Sequence, residues 1–241
     1  KMTIESAELV KYGNNCLLAT KVSFANEFAN LSELVSNVDI NQVMEGVGLD
    51  YRIMGRFLRA GAGFGGSCFP KDVNAIKAWG ESQGYKTRLL DAVLEINRDQ
   101  AIHLVDIAEE MVGPLADKRY AILGLSFKPN TSDMREAPSI KIINELIKRN
   151  ATEIVGYDPK AKKSAKEILG NKIEYADSAI DALQGADCAF LVTEWDEFKK
   201  LKPKDFKNTM KEPNLIDGRR IYPFKEFSEE LSFRAIGRRK K

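Results

Sequence analysis

The chain has 241 residues, 44% of them hydrophobic and 30% charged, and its 37 Lys and Arg nearly cancel 35 Asp and Glu to leave a formal charge of +2. That balance argues against a nucleic-acid or acidic partner, no apolar run reaches membrane-spanning length, and three scattered cysteines point to a reducing compartment rather than a disulfide framework. With no signal-peptide pattern at the start, a cytoplasmic protein is expected, long enough for two domains or one large one.

The first predicted helix runs from Ile4 to Val35. Turned by about 100° per residue, Leu18, Val22, Ala25 and Ala29 fall within about 40° of one direction. Lys11 lies on that direction, and Asn15 about 40° from it, one turn along. An ammonium on the face meant for the core costs several kcal/mol unless compensated, so either a pocket or partner awaits it or the first turns fray into solvent. Asn26 and Glu27 are read as caps on neighbouring loops. A shorter helix is predicted near Asn41 to Gly48.

Residues 61 to 72 read Gly-Ala-Gly-Phe-Gly-Gly-Ser-Cys-Phe-Pro-Lys-Asp. Four glycines in six positions let backbone approach a bulky ligand, with amides free to meet an anion. Pro70 suits the first turn of a helix running to Gln83, which places Cys68 near the positive end of its dipole, beside Lys71, where a thiolate is favoured. With Asp72 one turn on, the group reads as a nucleophile with a carboxylate at hand; the competing reading is a turn followed by an inert core cysteine. A cysteine–histidine acyl-transfer centre needs an imidazole, and the one histidine, His103, sits inside a helical pattern as a packed residue. Cys16 falls in a helix and Cys188 in a strand-like run, with no zinc-type spacing and no metal site expected.

Another helix is predicted from Thr87 to Val112, stopped by Gly113-Pro114. From Tyr120 the period changes to short β-rich runs at Tyr120 to Phe127, Glu153 to Tyr157, Lys172 to Tyr175, Cys188 to Val192 and Asn214 to Ile216, with a weaker one at Ser232 to Ile236. Helical stretches at Pro138 to Arg149 and Ala161 to Leu169 alternate with them, so an α/β fold is expected: an all-helical domain over 1–113, then a Rossmann-like parallel sheet over 119–241, covered on both faces. Ligands of such a sheet sit beyond the carboxyl ends of its strands, where Lys128 and Arg219 would lie, and the sheet's loops would then cover the mouth of the Cys68 helix. The basic end, Gly237 to Lys241, reads as a frayed tail.

Seven ordered segments carry a resemblance: Ser6-Ala-Glu-Leu-Val-Lys-Tyr-Gly-Asn-Asn15, Phe24-Ala-Asn-Glu27, Asp50-Tyr-Arg-Ile53, Gly63-Phe-Gly-Gly-Ser-Cys-Phe-Pro-Lys-Asp72, Ile122-Leu-Gly-Leu-Ser-Phe-Lys128, Asp133-Met-Arg-Glu136 and Asp217-Gly-Arg219. The chain resembles the central and C-terminal domains of the UDP-glucose/GDP-mannose dehydrogenase family. The resemblance implies oxidation of a sugar C6 alcohol to a carboxylate with two NAD molecules and a thioester on Cys68. Lys11 and Asn15 match the pair holding the reacting oxygen and the water, and Asp72 the carboxylate that assists hydrolysis. Substrate contacts are implied for Arg59, Gly61, Gly63, Phe64 and Gly65, whose backbone would wrap the nucleotide-sugar, and for Phe127, Lys128 and Arg219 near its uracil and diphosphate. Arg52 resembles an arginine that crosses a homodimer interface into the neighbouring site, and Lys71 and Arg135 resemble residues that touch NAD. Within the family, Gly-Gly-Ser-Cys-Phe-Pro-Lys-Asp favours UDP-glucose over GDP-mannose or UDP-N-acetylmannosamine.

The family's dinucleotide fingerprint, a strand followed by Gly-x-Gly-x-x-Gly and a helix, is absent: Gly61 to Gly66 lies between helices, and the strand at Ala121 lacks the later glycines. A truncated, cleaved or split-gene product, inactive alone, is therefore expected. The competing expectation is a non-catalytic nucleotide-sugar-binding or dimerisation module in which Cys68 only packs.

Overall fold

In the computed structural model, helix α1 (Ile4–Ser32) begins where Thr3 accepts the Ser6 amide on its hydroxyl at 3.2 Å, satisfying one of the free amides of a first turn. It stops short of the expected Val35. Its buried positions are Ala19, Ser23, Ala25, Asn26, Ala29 and Ser32, a face that includes polar groups with assigned partners: Ser23 donates to the Val93 carbonyl at 3.1 Å, and Asn26 accepts the Gly61 amide at 2.8 Å. Helix α2 (Ile40–Gly48) is capped by Asp39, α3 (Phe69–Ser82) follows the glycine-rich segment, and α4 (Arg88–Val112) is the spine of the molecule. One side of α4 packs on α1 and α3, the other on α5 and the sheet. Residues 1–238 are described; the last residues of the basic tail lie outside them.

The strands β1 (Arg119–Leu123), β2 (Glu153–Tyr157), β3 (Glu174–Tyr175), β4 (Cys188–Leu191), β5 (Asn214–Asp217) and β6 (Ser232–Ala235) form one parallel sheet in the order β3-β2-β1-β4-β5-β6. Alternate residues of β1 serve opposite faces, as the two-residue period of a strand requires: Tyr120 and Ile122 join a core with α4, α5 and α6, while Ala121 and Leu123 join a second core with α7, α8 and α9. Helices α5 (Pro138–Lys148), α6 (Lys162–Leu169), α7 (Ala179–Leu183), α8 (Pro203–Thr209) and α9 (Phe224–Glu230) are the crossovers. The last three were too short to show a helical period in the sequence. β1 is shorter than the expected Tyr120 to Phe127 because Gly124 turns the chain at φ 95° and the residues after it form a loop. β3 keeps only the end of its expected run.

The helical part and the sheet share a core, since Ala25, Ile40, Met44 and Leu104 cluster with Tyr120, Ile122, Phe190 and Ile216. The C-terminal turn fastens them again. Glu33 accepts the Gly237 amide at 2.8 Å and a hydrogen bond from His103 Nε2 at 3.0 Å, and Asp39 accepts Arg220 at 2.5 Å and Arg238 at 2.6 Å. His103 is thus a packed residue of α4 tied to Glu33. Among the described residues no helix is long and apolar enough to cross a membrane, and no cluster of His, Cys, Asp or Glu could hold a metal ion.

Candidate active site

Cys68 is the N-cap residue of α3 and is exposed, with the Ser67 hydroxyl 3.7 Å from its sulfur. Pro70 occupies the first turn, where its missing amide hydrogen costs nothing, and Asp72 follows one turn later with its amide bonded to the Cys68 carbonyl at 2.9 Å. The Asp72 side chain is buried. It accepts Lys11 Nζ and Asn15 Nδ2 on one oxygen, each at 2.5 Å, and its other oxygen is ion-paired with Lys71 Nζ at 3.0 Å. Burial pushes the Asp72 pKa up, but the hydrogen bonds from Lys11, Lys71 and Asn15 outweigh it and bring the value down to about 2. The polar pair on α1 therefore meets a carboxylate from α3.

Lys71 and Arg135 both feel the Cys68 sulfur. Their pKa values are raised, chiefly by hydrogen bonds to Asp72 and Asp133 respectively, with a smaller contribution from Cys68. Arg135 is held by Asp133 at 2.6 Å. Tyr12 belongs to the same cluster although nothing in the sequence reading marked it: the Lys11 ammonium lies 4.4 Å from its ring centroid, in cation–π range. An aromatic next to a lysine on a helix was the available signal. Cys16, by contrast, is half-buried behind the site, its thiol pushed up by burial and then by the Asp72 charge.

The glycine-rich segment departs from expectation. Four of its amides are engaged within the protein: Gly61 N donates to Asn26, Ala62 N to the Gly218 carbonyl, Phe64 N to Asn97, and Gly66 N to the Arg135 carbonyl at 2.7 Å. Asn97 returns a hydrogen bond to the Phe64 carbonyl at 3.0 Å. The glycines serve close packing against the sheet's loops: a Cβ on Gly65 would lie 2.3 Å from the Glu136 carbonyl oxygen, and one on Gly66, at φ 84°, 2.7 Å from the Phe127 ring. Gly63 packs on Asn97 in the same manner.

At the carboxyl ends of the strands, buried Asp158 organises the loops. It accepts the Leu125 and Ser126 amides and the Ser126 hydroxyl after β1, the Trp195 indole N–H at 3.1 Å after β4, and the Lys160 and Ala161 amides after β2. Phe127 and Lys128 follow on the β1 loop, Lys128 exposed with its ammonium 5.3 Å from the Phe127 ring centroid. Arg219 follows β5. It is mostly buried, donates from Nε to the Val192 carbonyl at 2.5 Å, and its pKa is lowered by that burial against the charges of Glu194 and Asp217. Arg59, Arg219, Arg220, Lys199, Glu194 and Glu45 share the wall of a cavity of about 480 Å³ between α2 and the sheet. Arg52 stands apart, exposed and paired with Asp50 at 2.5 Å.

The structure thus brings Lys11, Asn15, Lys71 and Asp72 to the helix mouth of Cys68, and Arg59 with Arg219 to a neighbouring cavity. Asp158, Glu194 and Asn97 were missed because their partners are remote in sequence; a polar residue ending a buried strand, as Asp158 does in Tyr-Asp-Pro, was the one hint.

The family models of the UDP-glucose/GDP-mannose dehydrogenase family match twice, the central domain over residues 5–99 and the UDP binding domain over residues 121–224. The chain is 46% identical over 226 residues to the UDP-glucose 6-dehydrogenase AglM of Haloferax volcanii, covering 94% of this chain and 51% of that protein. It is 41% identical over 239 residues to the UDP-glucose 6-dehydrogenase TuaD of Bacillus subtilis, covering 99% and 51%. Among solved structures, a UDP-glucose dehydrogenase from Pyrobaculum islandicum is similar at a TM-score of 0.87 and 34% identity, over 98% of this chain and 52% of that one. A UDP-D-ManNAc dehydrogenase from Pyrococcus horikoshii is similar at a TM-score of 0.82 and 25% identity, over 96% and 52%. The chain spans about half the length of the relatives it matches.

Proposed function

Because the chain belongs to the UDP-glucose/GDP-mannose dehydrogenase family and carries its central and UDP-binding domains, we propose that it is the substrate-holding, thiol-bearing portion of an enzyme that oxidises the C6 alcohol of UDP-glucose to a carboxylate. The observation that carries this reading is an exposed Cys68 at the mouth of α3, one turn from a buried Asp72 that gathers Lys11, Asn15 and Lys71. The Cys68 thiolate adds to the C6 aldehyde to give a thiohemiacetal, loss of a hydride leaves a thioester, and water releases the acid. A fixed ammonium and amide, Lys11 and Asn15, stabilise the oxyanion of each tetrahedral species. With a pKa of about 2, Asp72 stays ionised at neutral pH. So weak a base serves to orient Lys11, Asn15 and a water rather than to store a proton. Exposure of the thiol disfavours a packing role.

NAD, when bound, accepts the hydride. Lys71 and Arg135, the cations whose charge couples to Cys68, fit a contact with an anionic cofactor. In the sheet's own phosphate corner, the Leu125 and Ser126 amides after β1 are filled by Asp158. That occupancy supports a principal NAD site in the half of the relatives' length that this chain does not span. A homodimer through the helical part is supported by the exposed Leu17, Leu31, Leu49, Tyr51 and Met54 of that part.

The test combines titration calorimetry with alkylation. UDP-glucose is expected to bind the chain, iodoacetamide to label Cys68 ahead of half-buried Cys16 and buried Cys188, and turnover with NAD to appear only when the other half is supplied. Absence of UDP-glucose binding, or turnover by the chain alone, would overturn the reading.

A further inference from the structure

The mouth of α3 is polar but uncapped. Ser67 and Cys68 stand where a serine ordinarily accepts an amide of the first helical turn, yet neither side chain makes a capping hydrogen bond. The Ser67 hydroxyl turns instead to its neighbour, with Oγ 3.7 Å from Cys68 Sγ. No other hydrogen bond to that sulfur is formed among the described residues: Lys71 and Arg135, whose charges reach it, are each tied to a carboxylate, Asp72 at 3.0 Å and Asp133 at 2.6 Å. In the neutral pair either atom is able to donate, but once the sulfur is a thiolate only the hydroxyl has a hydrogen left to give.

A hydrogen bond given to the charged form of an ionisable group favours that form. Cys68 is exposed, so water competes for its sulfur, but a short hydroxyl side chain on the adjacent residue has little freedom to lose in making the bond. Resting on the thiol chemistry above, we propose that Ser67 is a further catalytic residue, whose hydroxyl donates a hydrogen bond to the Cys68 thiolate both before it attacks the C6 aldehyde and as it leaves the thioester. The proton stays on the serine oxygen throughout. When sulfur bonds to carbon the hydrogen bond is given up, and when water displaces the sulfur it re-forms on the departing thiolate. A neutral pair at 3.7 Å has room to tighten as charge gathers on the sulfur. The bond trades some nucleophilicity for a larger thiolate fraction at neutral pH, and since thiolate nucleophilicity falls only about half as steeply as basicity, the exchange favours reaction.

The experiment follows the rate at which iodoacetamide labels Cys68 in the whole chain from about pH 5 to about pH 10, read on its peptide by mass spectrometry, in wild type, Ser67→Ala and Ser67→Thr. Ser67→Ala is expected to move the profile toward higher pH by about half to one unit. Labelling near pH 7 then slows about two- to fourfold, while the alkaline plateau rises slightly because the unbonded thiolate is the better nucleophile. Ser67→Thr, which keeps the hydroxyl, should follow wild type. A distorted turn would instead slow labelling at every pH. That outcome, an alanine profile superimposable on wild type, or a threonine profile matching that of alanine would each overturn the proposal. A wild-type Cys68 that labels no faster than Cys16 removes the thiol reading together with this role, whereas a fast Cys68 that ignores Ser67→Ala removes this role alone. If the alanine variant does not fold, Ser67→Gly takes its place.

Discussion

Asp72 is buried yet ionised, a state a carboxylate keeps only with donors around it, here Lys11, Asn15 and Lys71. Its folded pKa, about 2, lies below the ordinary value of 3.8. A depressed folded pKa stabilises the fold above the unfolded value and loses that contribution as pH falls through the folded one, so the loss runs from about pH 4 to about pH 2. The half-exposed Lys11 partner trims it to an order of 1–2 kcal/mol. Asp72→Asn is expected to be less stable than wild type at pH 6, with the gap closing across that acid window; urea midpoints of both proteins check it. Lys11, Asn15, Cys68 and Asp72 were legible because the first two lie one turn apart on a helix face and the last two one turn apart at the start of another helix. Tyr12 and Glu194 were not, since the first meets Lys11 through its ring face and the second lines a cavity formed by residues far apart in the chain.

The segment from Gly61 to Gly66 is irregular, as its sequence suggests, while the amides of Gly61, Ala62, Phe64 and Gly66 are engaged within the protein. Glycine allows close approach, but the sequence does not say to what, and the approaching body is the protein's own β1–α5 loop. Gly65→Ala is expected to cost about 2–4 kcal/mol, because a Cβ 2.3 Å from the Glu136 carbonyl oxygen must displace backbone. Gly46→Ala, in α2 with nothing within 4 Å, should instead gain about 0.4–1 kcal/mol. Urea denaturation of the pair separates packing from propensity, and equal effects would show that the loops do not meet as described. The long helices and the parallel strand order were readable from period and alternation, whereas α7, α8 and α9 are too brief for a period to develop. β1 was overestimated because Leu125 to Phe127 continue its apolar run while their backbone bonds go to Asp158 and Asp133.

At the scale of the molecule, two domains are expected from a change of period near Gly113, and α4 links the two parts, packing on α1 and α3 as well as on α5 and β5. His103 sits where α1, α4 and β6 converge. Burial lowers its pKa, yet the hydrogen bond and charge of Glu33, with Asp106 and against Arg234, leave it raised above 6.5. A raised folded pKa adds stability that is fully present below the unfolded value and disappears as pH climbs through the folded one. Wild type is therefore expected to exceed His103→Gln in stability by more at pH 6 than at pH 8.5, by the difference of their denaturation midpoints; a gap independent of pH would show that Glu33 does not hold a protonated imidazole. The stitched segment between Arg59 and Cys68 has a mechanical corollary. Anchored to α1 through Asn26, to α4 through Asn97 and to the sheet's loops through Gly218 and Arg135, it is a tether with little slack, so any displacement of the helical part against the sheet would be passed along the chain to Cys68.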